Sequence, residues 1–334
     1  MNLPGARAEP ARALLEVQAP VREELDRVPR AMWRIVSADN ALAASVTDHL
    51  MAMRGKMFRP TLVLLCSAAD DAAPTARAIN LAAVTELVHL ATLVHDDSVD
   101  HSALRRGQPT VNSLFSHQVS VIMGDLLYVH AFAELVRDAD FEVLRSVTRA
   151  STEMTVGEIQ QLAAVEALAF SEEDYEQLIR AKTASLMSAA CEIGAIAGGG
   201  RHRTALARYG DRLGRAFQIA DDLLDYTEDS GTTGKPQGLD LREHKMTLPL
   251  IAALRVVSPA ERRRVELLFA AAAPDDQLIA DVTAIVAESG GLDYARRRGE
   301  AYAEEAEEAL AELSPGPIRG ALTEAIAYVM ERRS

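Results

Sequence analysis

The sequence predicts an all-α protein, on three observations. The chain is rich in Ala and Leu, 49% hydrophobic yet only 4% aromatic, a balance that favours packed helices over a sheet. Apolar residues recur at helical spacing from near Ala11 to Arg333. No series of short alternating runs joined by hairpin turns interrupts them.

Taken in order, the spacing predicts helices over 11–30, 38–53, 57–69, 75–101, 117–138, 141–166, 172–197, 203–228, 245–256, 259–270, 275–289, 291–312 and 317–332. Asp140 precedes one run, and Ser171 with Asp174 forms an S-x-x-D cap for the next. Gly198-Gly199-Gly200 stops a helix, while Ser258-Pro259 and Ser314-Pro315-Gly316-Pro317 mark later turns. Two connections read as functional loops. Ser102 to Ser113 is polar and basic; Asp229 to His244 is rich in Gly, Thr, Lys and Asp. At 334 residues the chain exceeds the usual size of one domain, but no repeat or long linker divides it. The expectation is one all-α domain over 1–334, with the helices at about 258–333 as a flanking layer.

The charge balance, 35 Lys+Arg against 49 Asp+Glu, gives −14 and argues against a general nucleic-acid binder, which needs a basic face. Only two cysteines occur, Cys66 and Cys191, each inside an apolar helical pattern. A disulfide framework or structural zinc site is therefore not expected, and a reducing cytoplasm is the natural compartment. Met1 to Pro10 lacks the basic-then-apolar layout of a secretory signal. The longest apolar runs carry charges or polar residues at helical spacing, so no bilayer span is expected.

The chemistry is concentrated in two places. In Leu93-Val-His-Asp-Asp-Ser-Val-Asp100, Asp96 and Asp100 stand one turn apart on one helical face, with His89 two turns before. Carboxylates so close repel each other, and an acidic pair at a helix end is ordinarily a solvated face. Here the preceding run, Leu81 to Val94, reads as buried, so a cation is called for. Hard oxygen ligands suit Mg²⁺, which usually shares its shell with water and substrate phosphate. The same D-D-x-x-D spacing returns in Gln218-Ile-Ala-Asp-Asp-Leu-Leu-Asp225, again after an apolar helical run. One such motif is weak; two, each ending an apolar helix, imply facing helices with metal between Asp96, Asp100, Asp221, Asp222 and Asp225. Neither has the central Gly and terminal Glu of an EF-hand loop. Basic residues accompany both: Lys56 and Arg59, Arg105 and Arg106, Lys182 beside Thr183, and Lys235 and Lys245. Each alone reads as a surface residue; together they point to phosphate.

These residues also carry a family resemblance. The sequence resembles the trans-isoprenyl (polyprenyl) diphosphate synthases in Gly55-Lys-Met-Phe-Arg-Pro60, Glu86-Leu-Val-His89, the first aspartate motif, Arg105-Arg-Gly-Gln-Pro-Thr110 and Gly124-Asp125. Further on come Lys182-Thr-Ala-Ser-Leu186, the second aspartate motif, Gly234-Lys235-Pro236 and Asp240-Leu-Arg-Glu-His-Lys-Met-Thr-Leu-Pro249. The matches keep the family's order over a catalytic core at about 50–250. Met57-Phe58 replaces the common basic-apolar pair, and His244 stands where Gly is usual.

The resemblance implies an isoprenoid synthase-type helical bundle around a central apolar cavity. It implies Asp96 and Asp100, with Asp97 supporting, on two Mg²⁺ ions, and Asp221, Asp222 and Asp225 on a third. Arg105, Lys182, Thr183, Gln218, Lys235 and Lys245 would grip the allylic diphosphate; Lys56, Arg59, His89 and Arg106 would grip isopentenyl diphosphate. Asp96, Asp97, Asp100, Arg105, Lys182, Asp221 and Lys235 are the expected catalytic set. A homodimer is implied too, with at most a peripheral membrane contact for product release.

Product length is legible in part. Thr92 and Ala91, four and five residues before Asp96, are small, where short-chain relatives carry an aromatic floor. That favours medium to long products, although small residues also permit close helix packing. Val84, Leu87, Val88, Met123 and Leu127 read equally as deeper tunnel or as core. A terpene cyclase needs no second diphosphate pocket, so Lys56, Arg59 and Arg106 argue against one. The Gly55–Pro60 and Arg105–Thr110 segments are unlike head-to-head synthases, and no aspartate is lost as in a regulatory subunit.

Overall fold

The computed structural model describes residues 9–37, 40–53, 55–70, 72–163, 167–227 and 238–331. Helices dominate. The chain begins with α1 (Glu9–Gln18), a 3₁₀ turn at Ala19–Val21, α2 (Arg22–Leu25), α3 (Val28–Val36), α4 (Ala41–Ala52) and α5 (Phe58–Ser67). The long α6 (Ala76–Val99) leads through strands β1 (Leu104–Arg105) and β2 (Gln108–Pro109) and α7 (Val111–Leu114) into α8 (His117–Asp138) and α9 (Phe141–Ala163). Then come α10 (Glu172–Ile179), a π-helical turn at Arg180–Ala184, α11 (Ser185–Ala197) and α12 (Arg203–Thr227). The chain closes with α13 (Leu239–Arg242), α14 (Leu248–Ala253), α15 (Pro259–Ala270), α16 (Asp276–Glu288), α17 (Gly291–Ala309) and α18 (Pro317–Met330).

The all-α expectation is borne out, with local corrections. The helix expected over 11–30 is broken, because Pro20 sits in the 3₁₀ turn and Pro29 opens α3. Proline lacks the amide hydrogen an interior turn needs but is tolerated in a first turn. The cap read at Ser171 is a full capping box, its hydroxyl accepting from the Asp174 amide while Asp174 accepts from the Ser171 amide. The loop expected over 102–113 contains a two-residue hairpin, Leu104 opposite Pro109 and Arg105 opposite Gln108. Its turn residues Arg106 (φ 53) and Gly107 (φ 74) are both left-handed, as a type I′ turn requires, and Arg-Gly is not its usual signature.

One cluster of buried apolar side chains runs from Leu14 to Val329. Its centre is α5, α11 and α12, which approach closely because glycines face backbone. A Cβ at Gly194 would lie 2.4 Å from the Val63 carbonyl oxygen, and one at Gly210 would lie 2.5 Å from that of Met187. The last helices do more than flank: α17 packs along α12, and the buried Tyr209 hydroxyl of α12 donates to Leu322 O in α18 at 2.8 Å.

By length and composition α6 and α8 are each apolar enough to cross a bilayer, which is weak evidence of a span. Their apolar character comes from their density of Val, Leu and Ala. Of the two apolar windows, 61% of that in α6 and 39% of that in α8 is buried within the protein, and α6 carries Glu86, His89, Asp96 and Asp97. Core helices pass the same test.

The close α5–α11 contact leaves no room for a methyl group. Gly194→Ala is expected to lower unfolding stability by about 1–3 kcal/mol, read as a lower urea midpoint with an unchanged slope.

Candidate active site

The first aspartate motif is the C-terminal end of α6, held against an antiparallel α8. Ser120 Oγ donates to Val94 O at 3.0 Å, and His95 Nε2 lies 3.1 Å from Val121 O and 3.4 Å from Asp125 Oδ1. Gly124 makes room for that imidazole, since a Cβ there would meet His95 Nε2 at 2.2 Å. The His95 ring of α6 lies against Tyr128 of α8, and Tyr128 against Phe132, with centroids 6.1 and 6.3 Å apart.

The three aspartates of this motif have different surroundings. Asp97 is buried, and Arg105 Nε reaches both its oxygens at 2.9 and 2.8 Å. It thereby ties the hairpin to α6, an ion pair within one site rather than a ligand set. Asp96 lies on the other side. Burial raises its pKa to about 7, helped by the negative charges of Glu158 and Asp100 and opposed by Lys182 and Arg105. Tyr128 is raised to about 12 by burial and by the Asp96 charge, which places its hydroxyl in the field of that carboxylate.

Lys182 stands in the π-helical turn, a distortion that often marks a functional position. Its Nζ lies 2.5 Å from Glu158 Oε1 and donates to Gln161 Oε1 at 2.7 Å, both from α9. The next residue, Thr183, donates its hydroxyl to Gln218 Oε1 at 2.8 Å, which joins this turn to α12.

From Gln218 the chain of contacts enters the second motif. Gln218 Nε2 donates to Asp222 Oδ1 at 2.8 Å, and the buried Tyr175 hydroxyl donates to Asp222 Oδ2 at 2.6 Å. Burial raises the Asp222 pKa to about 8, with the charges of Asp240 and Asp221 adding to it and these two donors only partly offsetting it. Asp225 caps α13: its oxygens accept the amides of Leu239 at 2.9 Å and Asp240 at 3.0 Å. Asp221 is the member of the motif that adds negative charge beside both Asp222 and Asp240. Asp240 itself is raised to about 6 by burial and the Asp225 charge.

Lys245 connects the two motifs. Burial lowers its pKa, but Glu243, 2.5 Å from Nζ, with Asp240 and Asp100 outweighs burial and holds it above the ordinary lysine value. The neighbouring His244 is left-handed at φ 55, which accounts for glycine being usual there. Lys235 lies outside the described residues.

A separate cleft is lined in part by Gly55, Met57, Glu86, His89, Leu93 and Arg106. Arg106 packs over Gly55, where a Cβ would meet its Nη1 at 2.8 Å, and donates to Met53 O at 3.3 Å. Burial, then the charges of Arg59, Arg106 and Arg105, push His89 well below the usual histidine range. Burial raises Glu86, against the pull of Arg59 and Arg106. The side chain beneath the cleft is thus a neutral imidazole amid cations, a setting for an anion. Lys56 enters the same segment, its carbonyl accepting from Gln18 Nε2 at 3.0 Å.

Sequence reasoning missed Glu158, Gln161, Tyr175 and Tyr128, which act on the expected residues from other helices, and quoted Asp240 in a motif without giving it a role. A local signal exists only for Glu158 and Gln161, three apart on one face of α9. Among the described residues no three His, Cys, Asp or Glu side chains converge into a cage for an ion. Mg²⁺ held by one or two carboxylates plus substrate phosphate needs no such cage.

The family model described as Polyprenyl synthetase matches residues 40–286. The chain belongs to that family. It is therefore an enzyme, a prenyltransferase of isoprenoid biosynthesis, and the resemblance read from its motifs is borne out. It is 37% identical over 318 residues to an all-trans-nonaprenyl-diphosphate synthase (geranyl-diphosphate specific) of Rhodobacter capsulatus, covering 95% of this chain and 97% of that one. It is also 35% identical to a short chain isoprenyl diphosphate synthase of Methanothermobacter thermautotrophicus, covering 89% and 92% of the two chains. The crystal structure of a polyprenyl synthase from Caulobacter crescentus, complexed with calcium and isoprenyl diphosphate, superposes with a TM-score of 0.90 at 33% identity, covering 96% and 98% of the two chains.

The raised carboxylates give a pH dependence of defined sign. Folded Asp96 keeps its proton up to about 7, whereas the unfolded chain loses it near 3.8, so the folded state binds more protons in between. The Asp96 contribution to stability without divalent cations is therefore expected to fall as pH rises through that window, and Asp222, raised to about 8, extends the decline. Asp96→Asn should flatten this profile, measured as urea midpoints between about pH 5 and 8.

Proposed function

We propose that the chain catalyses magnesium-dependent head-to-tail condensation of isopentenyl diphosphate with an allylic diphosphate, giving a medium- to long-chain trans product. The observation that carries this is the pairing of two distinct anion-binding settings. One is carboxylate-rich, around Asp96, Asp100 and the second motif, with Lys182 and Lys245 between. The other is the cleft lined by His89 and Arg106, two turns away along α6, with the Arg59 charge acting on His89. A cyclase needs only the first.

The donors fit Mg²⁺. Hard carboxylate oxygens crowd the ends of two apolar helices, and Asp96 at about 7 and Asp240 at about 6 are groups that a nearby cation would ionise. In this reading Asp96, Asp100 and Asp221 are the foremost ligands for about three ions. Asp225 and Asp222 share that duty while capping α13 and orienting Gln218. Bound with the diphosphate, the ions supply charge neutralisation that makes it a leaving group.

The chain's own residues do the rest. Lys182, Lys245 and Arg105, together with Thr183, Gln218 and Lys235, hold the departing diphosphate, and Asp97 fixes Arg105 in place. Lys182 is held by Glu158 and Gln161, and Lys245 by Glu243, until an anion competes for them. Lys56, Arg59, His89 and Arg106 hold isopentenyl diphosphate so that its double bond meets the allylic carbon as the C–O bond breaks. Apolar walls keep water from the carbocation. Cationic groups aimed at developing negative charge are the main catalytic contribution.

The two small residues behind Asp96 differ. Ala91 is fully buried among core side chains, as are Val84, Leu87, Val88, Met123 and Leu127, so close packing accounts for it. Thr92 is partly open on the face of Asp96 and returns its hydroxyl to His89 O at 2.7 Å, so it is the one placed to meet a growing tail. The whole chain is proposed to work as one domain, as a cytoplasmic homodimer. Exposed Ile122, Val129 and Val136 on α8, with Phe141, Ile159 and Leu162 on α9, support a second copy there.

Incubation with isopentenyl diphosphate, Mg²⁺ and allylic primers of several lengths should give elongated products by chromatography; no elongation with any primer would refute the proposal. Thr92→Phe should shorten the products with the fold intact, whereas Ala91→Phe should cost about 1–3 kcal/mol through overpacking, and an unchanged length distribution in Thr92→Phe would remove that residue from the tail's path.

A further inference from the structure

The segment that carries Lys56 is gripped from outside the site by both ends of the chain. On one side, Gln18 in the last turn of α1 is buried and donates to Lys56 O at 3.0 Å and to Thr61 Oγ1 at 3.2 Å. Thr61 in turn donates to Met57 O at 2.8 Å. These bonds surround Met57, which is left-handed at φ 53, a conformation that a side chain of this kind adopts only when its neighbours impose it.

On the other side stands Tyr328, near the end of α18 and buried. The Lys56 ammonium lies 6.0 Å from its ring centroid, and the Phe58 ring lies 5.6 Å from it. Phe58 stacks on Phe217 at 6.1 Å, with an interplanar angle of 22°. Phe217 immediately precedes Gln218, the residue that bridges Thr183 and Asp222. A continuous aromatic row therefore runs from the second aspartate helix, under the basic segment, to the C-terminal helix. α18 is itself fixed by the Tyr209 bond to Leu322 O and by its packing against α1.

We propose that Tyr328 is a positioning residue for Lys56, through which α18 sets the affinity of the second diphosphate pocket. The physical reason is that an aromatic face attracts and orients an ammonium group without adding negative charge of its own. A carboxylate in the same place would oppose an incoming diphosphate. The tyrosine ring also wedges Phe58, so the first turn of α5 and the lysine ahead of it are held as one piece. The inference rests on the reading that Lys56 binds the diphosphate of isopentenyl diphosphate.

The test is steady-state kinetics of the full chain with both substrates and Mg²⁺. Tyr328→Leu should raise KM for isopentenyl diphosphate about two- to fivefold and leave KM for the allylic substrate unchanged. Tyr328→Phe, which keeps the ring, should restore the wild-type value. In a Lys56→Ala background Tyr328→Leu should add nothing, because its effect passes through the lysine. A circular-dichroism melt checks folding, and Gln18→Met, which loosens the segment from the α1 side, should give the same selective rise if Tyr328→Leu does not fold. An unchanged KM for isopentenyl diphosphate, equal rises for both substrates, or full additivity with Lys56→Ala would overturn the positioning role. A wild-type chain that elongates nothing would instead overturn the function proposed above, and the role of Lys56 with it.

Discussion

Carboxylates brought together at the ends of apolar helices repel one another, and the organisation of the site follows from how that repulsion is managed. Burial, with neighbouring carboxylate charge added, raises Asp96 to about 7, Asp222 to about 8 and Asp240 to about 6. Internal donors relieve part of this: Arg105 neutralises Asp97, Tyr175 and Gln218 bond Asp222, and the α13 amides bond Asp225. What is left, around Asp96, Asp100 and Asp221, is negative charge facing Lys182 and Lys245. That residue of charge is what the proposed binding of metal and diphosphate rests on.

The same arrangement divides labour between residues that look equivalent. Asp96 and Asp97 are adjacent, yet a helix turns each residue by about 100°, so one lies in the field of Glu158 and Lys182 and the other anchors the hairpin. The hairpin then presents Arg106 at a left-handed turn position, where its guanidinium covers Gly55. A single tight turn thereby sends Arg105 to Asp97 and Arg106 to the cleft at Gly55. Backbone geometry, not side-chain type, assigns them.

Packing at the centre supports this from a distance. Gly194, Gly210 and Gly214 allow α5, α11 and α12 to approach until a Cβ would meet backbone. That closeness brings Thr183 within reach of Gln218 and lets the Phe217–Phe58–Tyr328 row form. Stability and site geometry are therefore not separable in this part of the molecule.

The sequence by itself determined the helical class, both aspartate motifs and the basic segments, because each is a local pattern whose spacing maps onto one helix face. The turn chemistry of Arg106-Gly107 and the breaks at Pro20 and Pro29 were also local but carried weaker signals. Only the tertiary structure decided which motif aspartates are spoken for, that Glu158 and Gln161 hold Lys182, that Tyr175 holds Asp222, and that Ala91 is core while Thr92 opens toward Asp96. Those facts depend on contacts between residues 8 to 47 positions apart, set by how helices pack, and a pattern read along one chain segment holds no information about its neighbour in space.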